Sequence, residues 1–450
     1  MTDSTSPAET PKTDDKICDF CGTASSPDVP LIAGDDGLIC EDCVTLAARM
    51  VERWGRRRKL ADPLGTPPVP HEIKERLDAY VIGQHDAKET LAVAVYNHFK
   101  RLAAQSHPKS LRVDGGDQVE LDKSNILLLG PSGTGKTLLA RTLARICGVP
   151  FIIADATSLT QAGYVGDDVE SVLTRLLGAA DGNVGLAEWG IVYIDEVDKL
   201  ARASEGANGT RDVSGEGVQQ ALLKLVEGEQ VKVPVGGRRK EGGDSVTMDT
   251  RNVLFIAGGA FDGLEKLIES RGEDKKEAKI GFGAALTEKN PDAAVVADFS
   301  KVHPEDVRRF GLIPEFIGRF PVITSVNALD LDDMVRILTE PRNALTKQYH
   351  HLFEHEDVEL EFTDDALRAI ASKARDRGTG ARGLRGVLEA VLKRTMFDLP
   401  SMENVTRCVV NEGAITKDEP IILLDKDGEM VAAPERDHEK EKTALSAAEG

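Results

Sequence analysis

Eight consecutive residues, Gly130-Pro131-Ser132-Gly133-Thr134-Gly135-Lys136-Thr137, narrow the folds open to this chain more than any other stretch. They satisfy the pattern GxxxxGK[ST]. An unbroken apolar run, Ile126 to Leu129, precedes them, and a helix-prone run, Leu138 to Ile146, follows. A buried strand that turns through glycines into a helix leaves backbone N–H groups facing inward. The helix N-terminus adds partial positive charge, so the turn is a cradle for polyphosphate. Lys136 is expected to reach the β- and γ-phosphates and Thr137 to bind Mg²⁺.

A second run, Ile191-Val192-Tyr193-Ile194, ends in Asp195-Glu196. Phosphoryl transfer needs one group for the metal and one for the attacking water. Asp195 is expected to hold Mg²⁺ through water and Glu196 to polarise the nucleophile. Phe151-Ile152-Ile153 and Val253 to Ala257 are further short apolar runs. Such runs separated by helical stretches predict an α/β domain, a parallel sheet flanked by helices, over residues 71–325. Within it, Arg271 to Ala297 is polar, charged and glycine-containing, and reads as a long loop. After Pro321 the character is mainly helical, giving a small C-terminal domain over 326–428. Asp333 to Leu338 begins a helix there, and Pro341 marks a break. Thr363 is an N-cap for a helix bearing Leu367, Ile370, Ala371 and Ala374. Gly378-Thr379-Gly380 ends it, and Ala381 to Leu399 forms the next. Val409-Val410 and Ile421 to Leu424 are strand candidates.

Cys18-Asp19-Phe20-Cys21 and Cys40-Glu41-Asp42-Cys43 are two CxxC pairs with eighteen residues between them. Two tight turns with two thiolates each make a closed tetrahedral site, which is a structural Zn²⁺ site. A redox dithiol and an iron–sulfur cluster are the competing readings. The module spans 17–53 and carries no dense basic or aromatic surface, so it reads as a protein-contact module. Leu31-Ile32 and Leu38-Ile39 are read as its core or a dimer face, the core being the default. Residues 1–16 and 429–450 read as disordered tails and 54–70 as a proline-rich linker. Arg56 to Lys59 reads as a solvated helix end, with a nucleic-acid patch as the competing reading. Cys147 and Cys408 read as core thiols.

Lys plus Arg is 56 and Asp plus Glu is 76, for a net charge of −20. That balance argues against a phosphate backbone as the main partner. No apolar run approaches the ~20 residues that cross a bilayer. The first sixteen residues resemble neither a secretory leader nor a transit peptide. A cytoplasmic location is expected. Neither GxSxG nor HExxH occurs, and no protease site is found in the sequence.

The two nucleotide motifs and their spacing resemble the AAA+ superfamily, and further stretches narrow the resemblance to the ClpX family, from Cys18 to about Leu424. Tyr80-Val81-Ile82-Gly83-Gln84 resembles the segment lining the adenine pocket. The resemblance thus implies ATP binding by Val81, Ile82 and the stretch from Gly130 to Leu138. Gly311 to Arg319 resembles the stretch ending in an arginine finger, which implies that Arg319 serves a neighbouring subunit. Gly380-Ala381-Arg382-Gly383 resembles the sensor-2 motif, with Arg382 reporting nucleotide state. The strand Val253 to Ala257 ends in Gly258-Gly259, where the superfamily often carries a polar sensor residue. Gly163-Tyr164-Val165-Gly166 looks like an axial pore loop, with Tyr164 and Val165 gripping substrate. Arg211-Asp212-Val213-Ser214 looks like a second. Gly236-Gly237-Arg238-Arg239-Lys240 stands where the family carries Arg-Lys-His; the His is missing and Glu241 follows. Ile280-Gly281-Phe282 matches the peptidase-docking tripeptide. The implied machine is a homohexameric, ATP-dependent unfoldase and remodelling chaperone. It would take tagged substrates and adaptors through its zinc module and deliver to a ClpP-type peptidase, with no membrane partner. The alternative is a DNA-acting AAA+ ATPase of the clamp- or helicase-loader type, which leaves Tyr164, Val165, Ile280 to Phe282 and the negative charge unexplained.

Overall fold

The computed structural model describes residues 17–26, 29–34, 37–48, 50, 68–106, 121–160, 167–201, 213–234, 245–277 and 299–432. They fall into two units, divided between residues 66 and 67.

In the first unit, Leu31–Ala33 pairs antiparallel with Leu38–Cys40, and a helix follows over residues 41–48. Its apolar side chains do not form the expected core. Ile32 is 58% exposed and Leu31, Leu38 and Ile39 are half-buried, while Cys18 and Cys40 are the only buried side chains among the described residues of this unit. Three-residue strands cannot enclose a hydrocarbon interior. The thiols occupy the centre instead.

The second unit is built on five parallel strands: β1 Ile126–Leu129, β2 Phe151–Asp155, β3 Ile191–Asp195, β4 Leu254–Gly259 and β5 Val322–Ser325. Their spatial order is β5-β1-β4-β3-β2. All four residues of β1 are buried, as two-sided cover by helices requires. Each contributes roughly 1.5–3 kcal/mol by that burial. Helices α1 Pro70–Asp78, α2 His85–Ser106, α3 Lys136–Cys147, α4 Ser171–Ala179 and α5 Val213–Glu227 surround the sheet. Proline at the first turn of α1 lacks only an N–H that no helix would use. Helix α6, Leu264–Glu277, corrects the expected loop from Arg271: the charged run there is helical through Glu277, and 278–298 lie outside the described residues. Charged residues such as Glu and Lys are good helix formers, so a polar stretch need not be a loop. Arg271 also pairs with the buried Asp306 carboxylate, which tethers α6 to α7, Pro304–Phe310.

Beyond β5 the chain packs a second, separate core around α8 Leu331–Thr339, α9 Leu345–Glu354, α10 Asp364–Asp376 and α11 Arg382–Asp398. A three-stranded sheet of Glu359–Phe362, Arg407–Val410 and Ile422–Leu424 completes it. Thr363 caps α10 as read, its Oγ1 accepting the Ala366 N–H at 3.2 Å. Asp330 caps α8, which therefore starts two residues before the predicted Asp333. Cys408 is buried and Cys147 half-buried, and burial pushes both thiols up to about 12.

Candidate active site

Parallel strands deliver their carboxyl ends to one edge of the sheet, where ligands of open α/β folds bind. Gly130 follows β1 there and Asp195-Glu196 closes β3, with β4 between them. Gly133 and Gly135 take positive φ of 77° and 96°, which turns the loop into the start of α3. Lys136 is buried, and its ammonium donates to the loop's own carbonyls, Gly130 O at 2.5 Å and Pro131 O at 2.9 Å. Thr134 Oγ1 donates to Pro131 O at 2.8 Å. Leu138, expected in the cradle, is 46% exposed.

Thr137 Oγ1 donates to Asp195 Oδ2 at 2.9 Å. A hydroxyl and a carboxylate at one point are the oxygen donors that Mg²⁺ takes beside a nucleotide. Glu196 sits in the left-handed region at φ 58°, exposed, with its N–H on Asp195 Oδ1 at 3.1 Å. A non-glycine residue held there is uncommon and clusters at functional sites. Its side chain makes no cap bond to the 3₁₀ turn that follows.

Tyr193 also belongs to this site, although no sequence motif marks it. It precedes Asp195 by two, so both side chains stand on the same face of β3. Its hydroxyl lies 3.4 Å from Asp195 Oδ1. A side chain on Gly258 would put its Cβ 2.0 Å from that hydroxyl, and one on Gly259 would put it 2.6 Å from Asp198 Oδ1. The glycines that end β4 thus make room for polar atoms delivered from β3 and the turn after it. Burial, with Asp195 alongside, pushes the phenol pKa upward and keeps it a proton donor.

The small domain closes the site from the other side. Gly133 meets Thr379 and Gly380 so closely that a Cβ would come 2.7 Å from Thr379 O. Ala381 N donates to Gly133 O at 3.3 Å, and Arg382 Nη1 to Ser132 Oγ at 3.4 Å. Arg382 is thus brought to the phosphate loop. Val81 and Ile82 are buried, and the Lys88 ammonium, 1% exposed, holds the Val81 carbonyl at 2.6 Å and Asp78 Oδ1 at 2.6 Å. Arg319 is not brought to this edge. Asn125, at the opposite end of β1, donates to Arg319 O at 2.8 Å, and the Arg319 guanidinium pairs with Glu227. The four residues of β1 lie between Asn125 and Gly130, which are thus roughly 16 Å apart.

In the first unit, one sulfur from each of Cys18, Cys21, Cys40 and Cys43 lies within 4.8 Å of the others, and the Cys21 and Cys40 sulfurs are 3.6 Å apart. A tetrahedron of thiolates about 2.3 Å from Zn²⁺ has edges of about 3.8 Å. The residues fit that ion and leave no open position.

Three family models match the chain: "ClpX C4-type zinc finger" over residues 16–53, "AAA domain (Cdc48 subfamily)" over 121–323, and "C-terminal, D2-small domain, of ClpB protein" over 329–410. The chain is 57% identical over 422 residues to a Methylococcus capsulatus protein named ATP-dependent Clp protease ATP-binding subunit ClpX 3, covering 92% of this chain and 96% of that one. The chain belongs to the ClpX family. An Azotobacter vinelandii protein named ATP-dependent Clp protease ATP-binding subunit ClpX is 55% identical, covering 97% of this chain and 99% of its own. A Treponema denticola protein of the same name is 46% identical, covering 91% and 97%. As a ClpX-family chain this is an AAA+ ATPase that uses ATP with Mg²⁺ and carries structural Zn²⁺. Among the described residues no helix is long and apolar enough to cross a membrane.

Several positions singled out by resemblance to ClpX proteins lie outside the described residues. These are Tyr164, Val165, Arg211, Asp212, Arg238, Arg239, Lys240, Ile280, Gly281 and Phe282. Val213 opens α5, and its side chain is outside them too.

Lys136 gives the site a pH signature. Burial lowers its pKa from 10.5 to about 8, with Asp195 and Asp198 opposing and Arg382 reinforcing the shift. A bound polyphosphate restores the charged form. Above about pH 8 binding must therefore take up a proton, and affinity should fall up to about tenfold per pH unit. Calorimetry of ADP binding at pH 9, in buffers of different ionisation enthalpy, should show uptake approaching one proton. Affinity that is flat from pH 7.5 to 9.5 would refute this.

Proposed function

We propose that this chain is the motor subunit of an ATP-dependent protein unfoldase that works as a homohexamer and feeds a ClpP-type peptidase. One observation carries the reading: the chain matches, over nearly its whole length, relatives named as the ATP-binding subunit of an ATP-dependent protease. The geometry supports the motor part. Phosphate-side contacts come from both domains, through Gly133, Ala381, Ser132 and Arg382, so a change of nucleotide changes what holds the domains together. Lys136 and Thr137 bind phosphate and Mg²⁺, Asp195 orients the metal's water and Glu196 activates the nucleophile. Arg319, at the sheet edge away from its own phosphate loop, serves the neighbouring subunit's nucleotide. Each turnover swings the small domain and moves the Tyr164-Val165 loop along a central pore. Arg211, Asp212 and Val213 and the basic Arg238-Arg239-Lys240 loop line the path and its entrance. Ile280-Gly281-Phe282 docks the peptidase, and the zinc module receives adaptors and tagged substrates. The same cycle without a peptidase remodels protein assemblies.

The test is a stable fluorescent protein with a C-terminal degradation tag, incubated with ATP and either a ClpP-type peptidase or a trap for unfolded chains. Fluorescence should fall only with ATP, and not with Glu196→Gln, whose hydrolysis should drop roughly 10²–10⁴-fold with the loss of the general base. Brisk ATP turnover that spares every tagged substrate and accelerates with DNA would sink the reading in favour of a DNA-acting motor.

A further inference from the structure

The segment that lines the base side of the nucleotide site does something besides present Val81 and Ile82. Gly83 and Gln84, the next two residues, are consecutive left-handed residues at φ 62° and 57°. Glycine adopts that region freely, whereas glutamine rarely does. An observed outlier of this kind is a reason to look for function. The turn drives the Gln84 side chain inward, where it is 8% exposed. Its carboxamide closes a two-armed bond on one distant residue: Nε2 donates to Asn327 O at 2.9 Å, and Oε1 accepts from Asn327 N at 2.7 Å. Both main-chain groups of Asn327 are thereby held by one side chain.

Asn327 stands at a particular place. It lies between β5, the last strand of the large sheet, and α8, whose Met334 and Leu338 belong to the second core. Residues 326–327 are the joint between the two domains. The neighbouring Val326 is gripped from the phosphate side. Its N–H donates to Leu129 O at 2.8 Å, and Gly130 packs so closely that a Cβ would come 2.3 Å from Val326 O. On the far side, Arg342 N of the small domain donates to Ala79 O at 2.9 Å, at the start of the base segment.

We propose that Gln84 is a positioning residue that couples occupancy of the base side of the nucleotide site to the angle between the two domains, by holding the peptide of Asn327. The proposal rests on the domain swing in the function given above. When the base seats against Val81 and Ile82, the segment behind them is fixed, and the Gln84 carboxamide carries that constraint to one face of the joint. The phosphates act on the other face through Gly130 and Val326. The joint therefore reads base and phosphate separately.

The experiment uses the full-length protein, with donor and acceptor dyes on unnatural residues replacing the exposed Lys266 and Glu403, one in each domain. Labelled chains are diluted into unlabelled ones so that transfer reports one subunit. Transfer is read without nucleotide, with Mg²⁺ and ATPγS, and with Mg²⁺ and inorganic tripolyphosphate, which carries no base. Wild type should shift with ATPγS and less with tripolyphosphate. Gln84→Ala should lose at least about half of the extra shift given by the base, with an unchanged tripolyphosphate response and about tenfold lower kcat, the scale of one or two lost buried hydrogen bonds. Gln84→Glu keeps the acceptor for Asn327 N–H but loses the donor for Asn327 O, and should behave in the same direction. A full ATPγS shift in either folded variant overturns the proposal. So does a loss that is equal for ATPγS and tripolyphosphate, because a merely structural role would produce it. A wild type that never shifts removes the domain swing itself, whereas a moving wild type with an indifferent Gln84→Glu removes only the role of Gln84.

Discussion

Arg319→Ala is expected to lower the ATPase rate roughly 10³–10⁵-fold, as loss of an arginine finger does in other nucleotide motors, while nucleotide affinity and thermal stability hardly change. The stability half of this follows from exposure. The Arg319 and Glu227 side chains are 52% and 37% exposed, and a surface pair of that kind is worth ~0–1 kcal/mol. The kinetic half follows from position. Asn125 holds Arg319 O at the amino edge of the sheet, and Lys123 fixes the end of α5 at that same edge, donating to Val226 O at 3.1 Å and Thr250 O at 3.0 Å. A guanidinium there is remote from its own Lys136. Mixing decides the matter. Arg319→Ala chains mixed with Lys136→Ala chains should regain activity that neither has alone, because about a quarter of randomly formed head-to-tail interfaces carry both intact groups. If Arg319 acted within its own chain, mixing would restore nothing.

Removing zinc should abolish the fold of the first unit and leave the ATPase within about twofold, since structural zinc contributes roughly 10–16 kcal/mol to such small modules. The described residues of that unit bury only Cys18 and Cys40, so no apolar interior remains to hold the strands once the metal has gone. The two large cores draw on no residue before Leu127. Metal analysis should find one Zn²⁺ per chain. A strong chelator should make all four cysteines of the cluster react with maleimide at the rate of unfolded thiols, with Cys147 and Cys408 still slow. Persistent protection of Cys18 and Cys40 after metal loss, or collapse of ATP turnover, would contradict this account.

What the sequence disclosed and what it hid separate along physical lines. The phosphate loop was readable because its chemistry is contiguous: glycines, Lys136 and Thr137 follow one buried strand. The cysteine pairs were readable for the same reason. The order β5-β1-β4-β3-β2 was not, because parallel pairing depends on crossovers and leaves no local trace. The last two turns of α6, from Arg271 to Glu277, read as loop because a run of charged residues gives no apolar period. The strand Glu359–Phe362 leaves little mark in the sequence, since four residues alternating acid and apolar are too few to stand out. Tyr193 was absorbed into an apolar run, although its spacing of two from Asp195 was a usable sign. Gln84 had no such sign, because its partner lies 243 residues away.

The two apolar cores of the second unit share no member: one draws its buried residues from 127 to 320, the other from 334 to 423. Between them run polar links, Gln84 to Asn327, Arg342 to Ala79, Ala381 to Gly133 and Arg382 to Ser132. In mechanical terms this is a bearing between two stiff bodies. Turning it trades hydrogen bonds with water, at a net ~0.5–1.5 kcal/mol apiece, and divides neither core. On the proposed domain swing, little of the free energy of each hydrolysis would then be consumed in deforming the subunit, and most would reach whatever load the joint moves.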